Sequence, residues 1–204
     1  MKLYYMPGTC SLAPHIALRE AGADFQIEKV DQKTKVTESG ESYGAINFKG
    51  RVPALRLQDG TLVTEGAAVL QFIADQAPKS KLAPANGSLE RVRLQEHLSF
   101  ISSELHKAFS PLFAAKPPKG EAREDAVAII NQRFDMVEKM LSDGRPFLLG
   151  DTFSVADSYL FVITGWLKPT GIGLGDRPNL RAFMDRVAAR PAVQSALRAE
   201  GLVH

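Results

Sequence analysis

The sequence predicts a chain of two halves, a small α/β half followed by an all-helical half. Three observations carry this. Strand and helix signals alternate over residues 1–77, a stretch rich in Pro and Gly follows at Pro78–Gly87 (PKSKLAPANG), and strand signals vanish beyond it. The division is therefore 1–78, a linker at 79–87, and a helical region over 88–204.

Lys2–Tyr5 is a short aromatic-rich strand that the Pro7-Gly8 turn ends. Ser11–Ala21 places Leu12, His15, Ile16 and Arg19 at helical spacing, and Gly22 closes it. Phe25–Val30 alternates Phe, Ile and Val with period two, a second strand. Asp31–Asn47 is polar and irregular, with one helical turn near Tyr43–Ile46. Ala54–Leu57 and Thr61–Val63 flank Asp59-Gly60, a hairpin signal. Glu65–Ala77 reads as a helix with Ala68, Val69, Phe72 and Ile73 on one face. The order is βαβ, a helical turn, then ββα.

Beyond the linker, Ser88–Phe113, Glu121–Leu141 and Ser154–Leu167 carry helical patterns. Pro178–Ala189 and Pro191–Ala199 each put Pro in the first helical turn. Ser154-Val155-Ala156-Asp157 has the form of a capping box and is a folding element.

Composition narrows the function. Of 204 residues, 45% are hydrophobic and 24% charged, which are ordinary globular values. A net charge of +2 without a basic run argues against nucleic acid or an anionic membrane as partner. No apolar run is long enough to span a bilayer, and MKLYYMPGTC lacks the layout of a secretory signal. The single cysteine fits a reducing compartment, so a cytoplasmic location is expected. The four histidines, His15, His97, His106 and His204, show no metal-ligand spacing, and no metal is expected.

Four features carry chemistry. Cys10 sits between a strand end and a helix start, where free N–H groups and the helix dipole lower a thiol pKa. It is either a reactive thiol or a packed structural one. Cys10-Ser11-Leu12-Ala13 lacks a second cysteine, so any disulfide of Cys10 needs an outside thiol. Val52-Pro53 precedes a strand, and a proline there implies an edge or a bulge. In thioredoxin-like folds this proline is cis and leaves the preceding backbone to pair with a peptide ligand; a plain strand-entry proline explains the same residues. Thr64-Glu65-Gly66 opens the next helix; its N–H groups suit a carboxylate, Glu65 suits an ammonium, and simple capping by Thr64 explains the same residues. Finally, Leu94, Leu98, Ile101, Leu105 and Leu112 form the core face of the long helix, with Phe109 beside it. Ser99, Ser103, His106 and Ser110 run in a stripe about 140° away. That stripe either lines a wet cleft or is plain surface.

The order and spacing of these pieces resemble the cytosolic glutathione transferase family, most closely its bacterial beta class. The resemblance spans the chain and rests on Met1–Glu20, Arg51–Leu55, Thr64–Val69, Ser102–Lys107 and Leu149–Asp157. It implies a thioredoxin-like N-terminal domain, an all-α helical-bundle C-terminal domain, and glutathione as co-substrate. It implies that glutathione pairs with the Val52 backbone along Pro53, that Glu65 and Gly66 hold the γ-glutamyl head, and that Lys35 meets the glycyl carboxylate. Cys10 would lie beside the glutathione sulfur, with His106 and Lys107 approaching it from the helical half. Ser103 joins the glutathione-binding set, and Glu104 would reach the glutathione of the other subunit of a homodimer. Phe109, Phe113 and Trp166 would line the site of a second, small apolar electrophile. The family often has serine at Gly66 and asparagine at Ser99, so two side-chain contacts are absent or shortened here.

The resulting expectation is conjugation of glutathione thiolate to electrophiles, with the backbone near Cys10, the Ser11 hydroxyl and His106 as donors to the sulfur, and disulfide exchange through Cys10. The alternatives are a glutathione-dependent reductase or dehalogenase, and a non-catalytic binding module.

Overall fold

The computed structural model describes residues 1–203, which leaves His204 outside the described residues. The chain packs as two compact units. One holds Met1–Ala83 together with the C-terminal segment from Ala188; the other is Pro84–Val187.

In the first unit, β1 (Lys2–Tyr5), α1 (Leu12–Glu20), β2 (Gln26–Lys29), the short α2 (Tyr43–Ile46), β3 (Ala54–Arg56), β4 (Leu62–Thr64) and α3 (Gly66–Gln76) follow the expected order. The four strands form one sheet in the order β2-β1-β3-β4. β1 runs parallel to β2, with Leu3 opposite Ile27, and antiparallel to β3, with Leu3 opposite Leu55. This is the mixed sheet of a thioredoxin-like domain. Tyr4, Met6, Val30, Tyr43 and Ala54 form a buried cluster with Ile46, Val52 and Leu62 at its margin. On α3 the buried face is Val69, Leu70, Ile73 and Ala74. The expected face is thus displaced: Ala68 is exposed and Phe72 half-buried, while Leu70 and Ala74 turn inward.

The proline expectation needs correction. β3 is an inner strand, paired on both sides, with Ala54 opposite Tyr4 and Thr64. Pro53 stands one residue before the first ladder pair, so its missing N–H costs the sheet nothing. The Val52-Pro53 bond is cis.

The first unit also differs from the 88–204 helical region read from sequence. α9 (Pro191–Ala199) buries Val193 and Ala196 and packs on α1. Arg190 pairs with Glu20 at 2.6 Å, and Arg19 donates to Ser195 at 2.8 Å. The helical pattern of this segment is visible in the sequence; the partner it buries against is not. The linker region likewise folds in part, with a 3₁₀ turn at Pro78–Ser80 and a buried Leu82.

The second unit contains α4 (Leu89–Phe100), a π turn (Ile101–Leu105), α5 (His106–Ala108), α6 (Glu121–Met140), α7 (Val155–Gly165) and most of α8 (Pro178–Ala188). The expected single helix over 88–113 is therefore interrupted. A π turn carries extra residues per turn, which aligns Ile101, Leu105 and Phe109 at a spacing of four. All three are buried, while Leu112 is only half-buried. The turn thus moves Phe109 into the core stripe and rotates Leu112 out of it. Ser88 caps α4, accepting from the Arg91 N–H at 3.1 Å. Asp157 caps α7 from within the core: its carboxylate accepts from the Leu148 and Ser154 N–H groups at 2.8 Å and from the Ser154 hydroxyl at 2.7 Å. Burial nevertheless holds its pKa up, to about 6, against the pull of these donors. Among the described residues no helix is long and apolar enough to cross a membrane.

Candidate active site

The turn between β1 and α1 places Cys10. Ser11 is wholly buried at the base of this turn. Its hydroxyl accepts from the Met6 N–H at 3.1 Å, lies 3.2 Å from the Met6 carbonyl as donor, and is 2.9 Å from the Thr9 hydroxyl. Its single proton has an acceptor within the turn, and the Thr9 hydroxyl also donates to the Met6 carbonyl at 2.9 Å. The buried Ser11 hydroxyl thus ties the turn that carries Cys10.

The other side of the turn is held from the C-terminal segment. Gly8, at φ 69, donates its N–H to Glu200 at 3.0 Å. The second Glu200 oxygen lies 2.8 Å from His15 Nδ1, and Arg19 Nε donates to His15 Nε2 at 3.0 Å. Arginine has donors only, so Nε2 accepts and the ring proton sits on Nδ1, facing the carboxylate. The sequence signals nothing of this pairing, which joins residues 185 apart.

Cys10 is a free, half-buried thiol. Its S–H donates to the Val52 carbonyl at 3.3 Å. Burial pushes its pKa up to about 11, outweighing the lowering by the Cys10 and Ser11 N–H groups and by the Arg51 charge. The helix-start N–H groups do lower the thiol, as their position suggests, but burial is the larger effect. The helix dipole is present, but α1 begins only at Leu12 and the surrounding apolar bulk wins.

Val52 closes a tied turn. Arg51 offers its carbonyl to the Tyr43 hydroxyl at 2.9 Å and to the Asn47 amide at 2.8 Å. Asn47 also accepts from the Lys49 N–H at 3.1 Å. The backbone entering Val52-Pro53 is thereby fixed from three sides.

Glu65 begins α3 at φ 68 and ψ 118, outside the regions a non-glycine residue ordinarily occupies. Such a conformation costs about 1–3 kcal/mol and marks functional positions. Its side chain is 70% exposed and pairs with Lys49 Nζ at 2.7 Å. Gly66 opens the helix beside it. Lys35, at φ 56, is exposed; its N–H donates to the Asp31 carbonyl at 3.0 Å and its carbonyl accepts from Tyr43 at 2.9 Å. Cys10, Ser11, Lys35, Val52, Pro53, Glu65 and Gly66 all lie in the first unit.

Ser103, Glu104, His106 and Lys107 lie in the second unit. Ser103 and Ser102 both donate to the Ser99 carbonyl, at 2.9 and 3.0 Å, inside the π turn. Glu104 is exposed and accepts from Arg133 of α6 at 2.9 Å. Lys107 is exposed, and His106 half-buried. His106 Nδ1 is 2.8 Å from the Tyr159 hydroxyl, and the ring stands edge-on to Trp166 at 4.8 Å. Trp166 also meets Phe109 and Phe113 edge-on, at 5.7 and 5.2 Å. Phe109 has no exposed surface, so it backs this cluster and cannot itself line a substrate site; Phe113 is 52% exposed. Tyr159 was not singled out from the sequence, where it reads as one more apolar position of a buried helix.

Among the described residues no three His, Cys, Asp or Glu side chains cluster as metal ligands. A mixed sheet with one thiol beside a cis-proline strand, and a helical unit following it, defines a thioredoxin-fold protein of the thiol-handling kind. Two family models match the chain, the N-terminal domain of glutathione S-transferase over residues 8–76 and its C-terminal domain over 100–191. Glutathione S-transferase GstA of Escherichia coli O157:H7 is 45% identical over 203 residues, covering 99% of this chain and 100% of that protein. A sphingomonad glutathione S-transferase solved with glutathione superposes with a TM-score of 0.94 at 50% identity, covering 100% of both chains. A beta class transferase of Sphingomonas chungbukensis superposes at 0.95 with 49% identity, again over 100% of both. The chain belongs to the glutathione S-transferase family, and its likeness is to the bacterial beta class.

Proposed function

We propose that the protein conjugates glutathione to small apolar electrophiles. The observation that carries this reading is the 3.3 Å contact of the Cys10 thiol with the Val52 carbonyl. A thiol there sits at the strand position where the cysteinyl part of a tripeptide would pair with the backbone. Its high pKa keeps Cys10 protonated at neutral pH, so it can donate to a bound thiolate in place of competing with it. The nucleophile is then the sulfur of glutathione, which attacks the electrophilic carbon and expels the leaving group. Glu65 and the Gly66 N–H hold the γ-glutamyl head, Lys35 the glycyl carboxylate, and Val52 and Pro53 the peptide. Ser103, Glu104, His106 and Lys107 complete the binding set. His106, braced by Tyr159, is a further donor to the sulfur. Phe113 and Trp166 supply apolar surface for the electrophile, and the working form is a cytoplasmic homodimer without metal.

Disulfide exchange is the second activity, favoured by a free cysteine that is not wholly buried. Cys10 loses its proton to solvent, its sulfur bonds to one sulfur of oxidised glutathione, the old S–S bond breaks, and one glutathione thiolate leaves. The division is testable with Cys10→Ala. Mass spectrometry after oxidised glutathione should show the mixed disulfide on the wild type and none on the variant, while conjugation of an aryl halide persists in large part. Loss of conjugation as complete as the loss of exchange would show that Cys10 serves every turnover. Failure of the wild type to bind immobilised glutathione would favour a non-catalytic module.

A further inference from the structure

We infer that Lys49 is an internal stand-in for the ligand's ammonium and tunes head-group selectivity by competing for Glu65. The inference rests on the reading of Glu65 as the γ-glutamyl site. Lys49 Nζ lies 2.7 Å from Glu65 Oε1 and donates to the Thr64 hydroxyl at 3.1 Å. Lys49 thus puts an ammonium beside Glu65 at the start of α3, where the head-group reading puts the α-ammonium of the ligand. The Lys49 backbone is held in a turn. Its N–H donates to Asn47 Oδ1 at 3.1 Å, and the Gly50 N–H donates to the Asn47 carbonyl at 2.8 Å, with Gly50 at φ 62. The same Asn47 fixes the Arg51 carbonyl ahead of Val52. One tied turn thus aims Lys49 at Glu65 and presents the strand that would receive the peptide.

Two cations gain less at one exposed carboxylate than either gains alone. An incoming ammonium must therefore displace Lys49, whose four-carbon stem lets it swing into solvent. A ligand without that amine leaves Lys49 in place and meets a cation near its own carboxylate. Lys49 therefore narrows the preference for amine-bearing over amine-free tripeptides. The expected size is that of one exposed ion pair, about 1.5- to 5-fold.

The test is isothermal titration of the wild type, Lys49→Met and Lys49→Gln with glutathione and with the analogue whose γ-glutamyl amine is replaced by hydrogen. The amine-free analogue carries one more net negative charge, so the ratio keeps part of the general attraction of Lys49, and the Glu65→Gln background separates the two effects. Both variants should raise the preference for glutathione about 1.5- to 5-fold, and the gain should be smaller in the Glu65→Gln background; a gain of equal size there overturns the inference. A ratio unchanged or lowered by both variants overturns the inference while the head-group reading stands. If Glu65→Gln alone leaves the affinity for glutathione unchanged, the head-group reading itself fails, and this inference with it.

Discussion

At the start of α1, Cys10 is half-buried, donates a hydrogen bond to a backbone carbonyl and is pushed up to a pKa of about 11. At the start of α3, Glu65 is exposed, strained at φ 68 and already paired with a cation. Both sites sit where a strand hands over to a helix, within one packed unit. The first buries its reactive atom and satisfies it internally. The second holds its charged group out to solvent at a conformational cost. On the proposed reading this contrast separates chemistry, carried by the thiol, from recognition, carried by the carboxylate.

The largest expected effect lies on the recognition side. Glu65→Gln removes a charge-assisted contact and should weaken glutathione binding about 10- to 100-fold, read by titration calorimetry. Glu65→Gly should weaken binding similarly yet raise the unfolding free energy by about 1 kcal/mol, because glycine tolerates the positive φ. A variant that binds normally, or a glycine variant less stable than the wild type, would break the assignment of strain to recognition.

On the chemistry side the effect is one of stability. Ser11→Ala leaves the buried Met6 N–H without its acceptor and should cost about 1–3 kcal/mol in denaturant unfolding. A large fall in kcat at unchanged stability would instead make the Ser11 hydroxyl a donor to the ligand sulfur.

The sequence makes this contrast visible only in part. The order of strands and helices along the chain and both helix starts follow from local patterns, and the cis Pro53 from the likeness to thioredoxin-like folds. Cys10 was legible as a thiol with no second cysteine nearby, but the direction of its pKa was not. Helix position is local, while burial depends on chain far away in sequence. The pairing of His15 with Glu200 and of α9 with α1 joins the two ends of the chain, and amphipathic spacing carries no partner. The π turn at Ile101–Leu105 was illegible for a related reason: its residues fit a regular helix, and only the packing of Phe109 requires the extra turn length. Lys49 has no sequence signal at all, since its role comes from the fold of the Asn47–Gly50 turn.

The account turns on the state of the one thiol, and the single cysteine makes that state directly measurable. The folded thiol titrates above its ordinary value of 9.0, so the native state keeps a proton the unfolded chain has lost. Stability should therefore fall as pH rises from 9.0 toward about 11, and Cys10→Ala should make that fall shallower, the buried Tyr4, Tyr5 and Tyr43 hydroxyls, also raised above their ordinary value, carrying the remainder at the upper end. The most direct measurement is the ultraviolet thiolate absorbance of the ligand-free protein against pH, with the Cys10→Ala signal subtracted. The account predicts a titration centred near 11, with the sulfur protonated throughout the neutral range. A midpoint at or below neutrality would contradict it and make Cys10 itself the standing nucleophile.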